Sequence, residues 1–159
     1  MRVGTGFDAH RLTPGRRLVL GGVDIPFDKG LIGWSDADVL AHAIMDALLG
    51  AAALGDIGRH FPPGEPEYKD ISSLVLLGRV KDKLVEHGWR VNNIDATIVA
   101  EQPKLKGFID GMRQRLSHTL GIPISQVSVK ASTSDGLGFV GRGEGIAAYA
   151  VALLEDISE

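Results

Sequence analysis

The chain has no cysteine among its 159 residues. Disulfides, iron–sulfur clusters and thiolate zinc sites are therefore excluded, and nothing indicates an oxidising compartment. An excess of positive charge is also missing: 17 Lys and Arg stand against 20 Asp and Glu, for a net charge of −3. Binding to duplex nucleic acid normally shows as a basic domain, so no nucleic-acid partner is expected. No apolar run approaches the ~18 residues of a membrane span. The N-terminal MRVGTGFDAH has no apolar core of the secretory type. The expectation is a cytoplasmic protein with no membrane association. Internal repeats, low-complexity stretches and linkers are absent too, so residues 1–159 read as one domain. A hydrophobic share of 44% is enough for a folded core.

Glycine is what the chain has in excess. Its 21 glycines are about twice the usual ~7% share. They gather at Gly21-Gly22, Gly55 to Gly58 and Gly136 to Gly145. Glycine-dense loops either turn tightly or let the backbone approach a ligand closely.

Patterning then gives the elements. Residues 1–8 and 16–20 read as short strands. Ser35 to Asp38 matches a capping box, S-x-x-D, opening an apolar helix that runs to about Ala53. The proline-rich stretch 56–71 reads as loop, and Ser72 to His87 as an amphipathic helix stopped at Gly88. Residues 89–101 read as a strand, Leu105 to Leu120 as a helix, and Gln126 to Ala131 as a strand with Val127, Val129 and Ala131 inward. Residues 144–155 suit either helix or strand; the alternation favours a strand buried on both faces. The sum is an α/β domain, α+β-like, with helices packed on one mixed sheet.

Asp8 and His10 are two apart at a strand end, so both face one side of the sheet. An Asp-x-His pair there is a two-toothed metal clamp, and His42 on the first helix is the natural third ligand. Asp38 and Asp46, at i−4 and i+4 from His42, fall on the same helix face. Two histidines and one carboxylate leave a fourth zinc position open, as catalytic sites require. The alternative is a turn-capping Asp8 and a surface histidine. Gly143-x-Gly145-x-x-Ala148 matches the loose dinucleotide fingerprint, but the chain ends before the acidic residue that the fingerprint needs ~20 positions on. Lys130 to Asp135 follows a strand and offers Ser132, Thr133 and Ser134 hydroxyls to phosphate oxygens, with the Asp135 carboxylate beside them for a hard cation such as Mg²⁺. A plain Ser/Thr or Asx turn is the competing reading. There is no convincing nucleophile–base pair.

Four blocks then assemble: FDAH at 7–10, SDADVLAHAIMDALLGAAALGDIG at 35–58, AEQPKLK at 100–106 and GFVGRGEGIA at 138–147. Together they closely resemble the 2-C-methyl-D-erythritol 2,4-cyclodiphosphate synthases of non-mevalonate isoprenoid biosynthesis, over the whole chain. The resemblance implies a phosphorus–oxygen lyase that cyclises a CDP-linked methylerythritol 2-phosphate and releases CMP. It implies a homotrimer around a central channel, with active sites at subunit interfaces. Asp8, His10 and His42 would bind Zn²⁺, or Mn²⁺ or another divalent ion in its place, with Asp8 and His10 also meeting substrate. Mg²⁺ or Mn²⁺ would accompany the substrate diphosphate. Asp56, Ile57 and Gly58 would hold the ribose, Ser35 would face the sugar-alcohol phosphate, and Phe61, Pro62, Pro63, Gly64 and Glu65 would lie over it. Ala100, Glu101, Gln102, Pro103, Lys104, Leu105 and Lys106 would wrap the cytosine, with Ser132, Thr133, Ser134 and Asp135 at the diphosphate. Thr133, Trp34 and Asp135 fall at catalytic positions. Phe139 and Arg142 would lie near the channel, which in this family can hold an isoprenoid diphosphate.

Three positions depart from the family pattern. Trp34 replaces a histidine, Pro63 replaces the first aspartate of an F-P-D-T-D loop, and Asp135 replaces a glutamate. Two rival readings remain: a metal-dependent nucleotide phosphohydrolase, and a trimeric isoprenoid-binding protein with a vestigial site. The intact ligand triad argues against the second.

Overall fold

The computed structural model describes residues 1–157. In chain order the elements are β1 (Arg2–Pro14), β2 (Leu18–Leu20), β3 (Val23–Ile25), β4 (Lys29–Leu31), α1 (Val39–Ala51), α2 (Ile57–His60), α3 (Ser73–Glu86), β5 (Trp89–Val99), α4 (Ile109–Leu120), β6 (Val127–Ser132), α5 (Gly138–Gly141) and β7 (Gly145–Asp156). Five strands form one sheet in the order β4-β1-β7-β5-β6. The β5–β6 pair is parallel and the others are antiparallel, so the sheet is mixed as expected. The β2–β3 hairpin is separate and turns through Gly21 and Gly22, both at positive φ. Two successive left-handed residues make a turn whose twist matches that of the flanking strands.

Helix α1 lies directly on β1 and β7. Glycine and alanine make this possible. A Cβ at Gly4 would stand 2.1 Å from the Ala47 carbonyl oxygen, and one at Gly6 would stand 1.9 Å from that of Ala43. On β7 the facing residues are Ala148, Ala150 and Ala152, all buried. The small side chains let the helix backbone settle onto the sheet. Alternation then carries the face that begins with Gly4 and Gly6 on to Asp8 and His10. Helices α3 and α4 complete the layer: α3 packs against α1, α4 and β5, and α4 reaches β6.

Several expectations need correction. The first strand does not stop at residue 8 but runs to Pro14. Ser35 does not cap α1. The N-cap is Asp38, whose side chain accepts from the Ala41 N–H, because Ala37 at φ 58° breaks the helical path before it. Asp38 therefore turns away from His42 instead of sharing its face; its carboxylate also accepts from the N–H groups of Gly21 and Gly22. The proline-rich stretch is not all loop: Asp56 caps the short α2, and Pro66–Tyr68 form a 3-10 turn. Residues 106–108 are also 3-10, so α4 begins at Ile109. Ala131 is exposed, unlike Val127 and Val129. The last segment is a strand, as expected, but only one of its faces is buried. Tyr149 and Val151 are 55% and 45% exposed on the other. A strand follows Gly145 where a dinucleotide fold needs a helix, so that fingerprint is void.

Candidate functional site

Asp8 and His10 meet His42 where the glycine-lined seam between β1 and α1 opens to solvent. The Asp8 Oδ2 atom is 2.9 Å from both His10 Nε2 and His42 Nδ1. The two ring nitrogens are 3.2 Å apart. Tetrahedral zinc with bonds of ~2.0–2.1 Å sets its ligand atoms about 3.3 Å from one another. Two imidazoles and a carboxylate at this spacing fit a divalent ion of that kind. Among the described residues this is the only such cluster.

Each histidine is held from behind. His10 Nδ1–H donates to the Ile32 carbonyl at 2.7 Å, which leaves its Nε2 for the centre. His42 Nε2 lies 3.1 Å from Ser35 Oγ and 3.0 Å from Ser73 Oγ. Burial pushes the Asp8 carboxyl up, but the neighbouring His10 and His42 rings outweigh it and bring it down to about 2. Burial works against the charged form of His10, and the Asp8 carboxylate, with the Ile32 carbonyl, raises it nonetheless.

A cavity of about 240 Å³ opens over the triad, lined by Trp34, Ser35, Ile57, Gly58, Phe61, Pro63, Tyr68 and Leu76 as well as the three ligands. Asp46, one turn beyond His42, accepts from the Ile57 N–H and so fixes the start of α2 at the cavity rim. A second cavity of about 430 Å³ lies between Ala100, Glu101, Pro103 to Lys106, Ile109 and the β6 end at Ala131 to Thr133.

The comparisons with known proteins decide the family. A profile of the YgbB family matches residues 1–155. The 2-C-methyl-D-erythritol 2,4-cyclodiphosphate synthase of Dehalococcoides mccartyi strain CBDB1 is 64% identical over 156 residues, covering 98% of this chain and 99% of its own. The chain belongs to the YgbB family. A solved 2C-methyl-D-erythritol-2,4-cyclodiphosphate synthase in a CDP-bound form superposes with a TM-score of 0.89 at 34% identity, covering 97% of this chain and 100% of the other. The bifunctional IspDF of Campylobacter jejuni gives 0.94 at 42% identity; the match covers 99% of this chain and 43% of that longer protein.

Two groups of the residues read from the sequence each share a cavity on this YgbB chain. Asp8, His10, Trp34, Ser35, His42, Ile57, Gly58, Phe61 and Pro63 share the triad cavity. Most of the 100–106 block lies in the other, with Ser132 and Thr133. Asp56 spends one oxygen on the Arg59 N–H. Glu65 offers its backbone carbonyl, not its side chain, and the Trp34 indole N–H donates to it at 2.9 Å. Trp34 thereby ties the 61–65 segment to the strand that leads to Ser35. Thr133 Oγ1 accepts from the Asp135 N–H at 3.2 Å, with Asp135 at φ 53°, so a Ser/Thr turn is present here. Glu101 does more than border the second cavity: Oε1 accepts from the Ser134 N–H at 2.8 Å and braces that turn. Arg142 pairs with Glu144 at 2.8 Å and, with Glu101 and Gln102, lines a third cavity of about 360 Å³; Phe139 is 40% exposed. Sequence reasoning missed Ser73, Asp36 and Tyr68. It placed Asp46 on His42's helix face by i+4 spacing but gave it no part in holding α2.

Proposed function

We propose that this chain converts 4-diphosphocytidyl-2-C-methyl-D-erythritol 2-phosphate into 2-C-methyl-D-erythritol 2,4-cyclodiphosphate and CMP, a step of non-mevalonate isoprenoid biosynthesis. The observation that carries the reading is the Asp8–His10–His42 cluster at the mouth of a cavity, in a member of the YgbB family. In the reaction an oxygen of the substrate's 2-phosphate forms a bond to the β-phosphorus. The bond from that phosphorus to the bridging oxygen breaks, and the electron pair leaves on CMP.

The attacking phosphate is already anionic, so no general base is needed, and no nucleophile–base pair was found in the sequence. The side chains have to position the two phosphates, neutralise charge and keep water out. Asp8, His10 and His42 would hold the ion, zinc by preference of this donor set, with Mn²⁺ as an alternative; it would supply Lewis-acid neutralisation of phosphate oxygens. Ser35 and Trp34 border it. Thr133 and Asp135 would meet the diphosphate and its Mg²⁺ or Mn²⁺, and the 100–106 segment would receive the cytosine.

The two cavities favour a site completed between subunits of a homotrimer. The exposed sheet face supports such an assembly: Val3, Phe7, Tyr149 and Val151 stand open opposite α1. Monomeric surfaces rarely leave a contiguous apolar patch of this kind unused. An isoprenoid diphosphate near Phe139 and Arg142, and a cytoplasmic location, belong to the same proposal. No described helix is long and apolar enough to cross a membrane.

The test is incubation of the purified protein with the CDP-linked 2-phosphate and Mg²⁺, followed by phosphorus NMR. Cyclic diphosphate and CMP are expected. An open diol phosphate would assign a phosphohydrolase instead, and no turnover would leave only a binding protein.

A further inference from the structure

Behind the triad lies a chain of side chains that the proposed reaction does not use. The Asp36 carboxylate receives two bonds from one residue: the Ser73 N–H donates to Oδ2 at 3.1 Å and the Ser73 hydroxyl donates to Oδ1. The Asp38 N–H also donates to Oδ1, at 3.1 Å. Ser73 is completely buried, and its hydroxyl oxygen is 3.0 Å from His42 Nε2.

The direction of these bonds follows from the groups themselves. An ionised carboxylate only accepts, so the single hydroxyl proton of Ser73 points to Asp36. The Ser73 oxygen then faces His42 with lone pairs alone. His42 Nε2 has to carry the proton and donate it. Ser35 Oγ, 3.1 Å from the same nitrogen, accepts from the Ala37 N–H and can place its own proton on the Ser73 oxygen 3.4 Å away, whose proton is already given to Asp36. In a neutral imidazole a proton on Nε2 leaves the lone pair on Nδ1, and Nδ1 is the nitrogen that faces Asp8 and His10.

We infer that Asp36 and Ser73 are positioning residues that fix the ring orientation and tautomer of His42, so that Nδ1 is presented to a divalent ion. The inference rests on the metal reading above. Partners of this kind behind a metal-bound histidine typically change affinity by 10–100-fold when removed. Sequence distance hid the arrangement, because Ser73 opens α3, 31 residues after His42. It joins α3 and the 31–38 segment to the ion site through one hydrogen-bonded path.

The test uses zinc alone, in chelator competition, with the folded state checked by thermal melting. Wild type is expected to take up one zinc per chain, with nitrogen-15 imidazole shifts showing His42 bound through Nδ1 and protonated at Nε2. Ser73→Ala should weaken zinc about 10–100-fold and lose the protected Nε2–H signal. Ser73→Thr, which keeps the hydroxyl, should stay within about threefold of wild type on the same scale. Asp36→Asn keeps the shape but opposes an amide N–H to one of three donors, and should weaken zinc as Ser73→Ala does. Should Ser73→Ala fail to fold, Asp36→Asn and Ser73→Thr still decide the matter. Tight zinc with unchanged His42 shifts in Ser73→Ala or Asp36→Asn would overturn this inference and leave the metal reading standing. A wild-type protein that binds no zinc would overturn both.

Discussion

Trp34, where the family resemblance sets a histidine, lines the cavity over Asp8, His10 and His42. Its indole N–H is already committed to the Glu65 carbonyl, so its task here is to hold and cover. If covering is the main role of position 34, Trp34→His should change kcat/KM by less than about tenfold, roughly 1.4 kcal/mol of barrier. A gain of a hundredfold in steady-state kinetics would instead give the histidine a chemical role. Asp135 is one methylene shorter than the glutamate that the resemblance sets there, and it sits in a Ser/Thr turn with Thr133. Mg²⁺ keeps several waters, which lets a short carboxylate act across one. Asp135→Ala should lose most activity and recover part of it in excess Mg²⁺ or Mn²⁺. Unchanged turnover would reduce Asp135 to a turn residue. The metal triad was legible at this scale because i and i+2 share a strand face and His42 lay in an apolar helix. Ser73 was not legible, since its role depends on a contact between separate elements.

Helix α1 and strand β1 set the distance that the triad needs. The apolar pattern announced the helix, but its start was misread. The sequence S-x-x-D matches a capping box, whereas the left-handed Ala37 moves the cap to Asp38. Gly4 and Gly6 read as ordinary members of a short strand; their purpose appears only when the helix backbone is placed against them. Gly6→Ala should cost about 1–3 kcal/mol of stability through overpacking, and should weaken metal binding by moving His42 from Asp8. Urea unfolding and zinc titration measure the two effects; an unchanged midpoint would mean that the seam has slack. Asp38 gives the element a pH signature. Burial pushes its carboxyl up to about 6, with the N–H groups of Ala41, Gly22 and Gly21 pulling the other way. The folded state therefore keeps a proton that the unfolded chain releases near its ordinary 3.8. This contribution to stability is complete below about pH 4 and is lost as pH rises through about 6. Asp38→Asn should flatten the stability profile across that interval, as followed by urea midpoints at successive pH values. Parallel profiles for the two proteins would mean that Asp38 keeps an ordinary pKa in the fold.

The sheet has one face sealed by helices and one left open, where Val3, Phe7, Tyr149 and Val151 are exposed beside the Lys130–Asp95 ion pair. Phe7 and Tyr149 pack ring to ring on the open face, with centroids 4.9 Å apart. Light scattering should give a single species near three times 16.9 kDa, and Phe7→Glu together with Tyr149→Glu should shift it toward monomer. An active monomer would contradict a site built between subunits. Strand content and the mixed sheet were legible from alternation, but the exposed face was not, because alternation between two apolar sets cannot tell a helix from another subunit as the cover. At the centre stands the claim that Asp8, His10 and His42 hold the ion on which ring closure depends. The most direct measurement strips the protein with chelator and titrates zinc back at saturating Mg²⁺, following cyclic diphosphate formation. Turnover should be near zero in the stripped protein and rise to a plateau at one zinc per chain. Full turnover in the stripped protein would contradict the account.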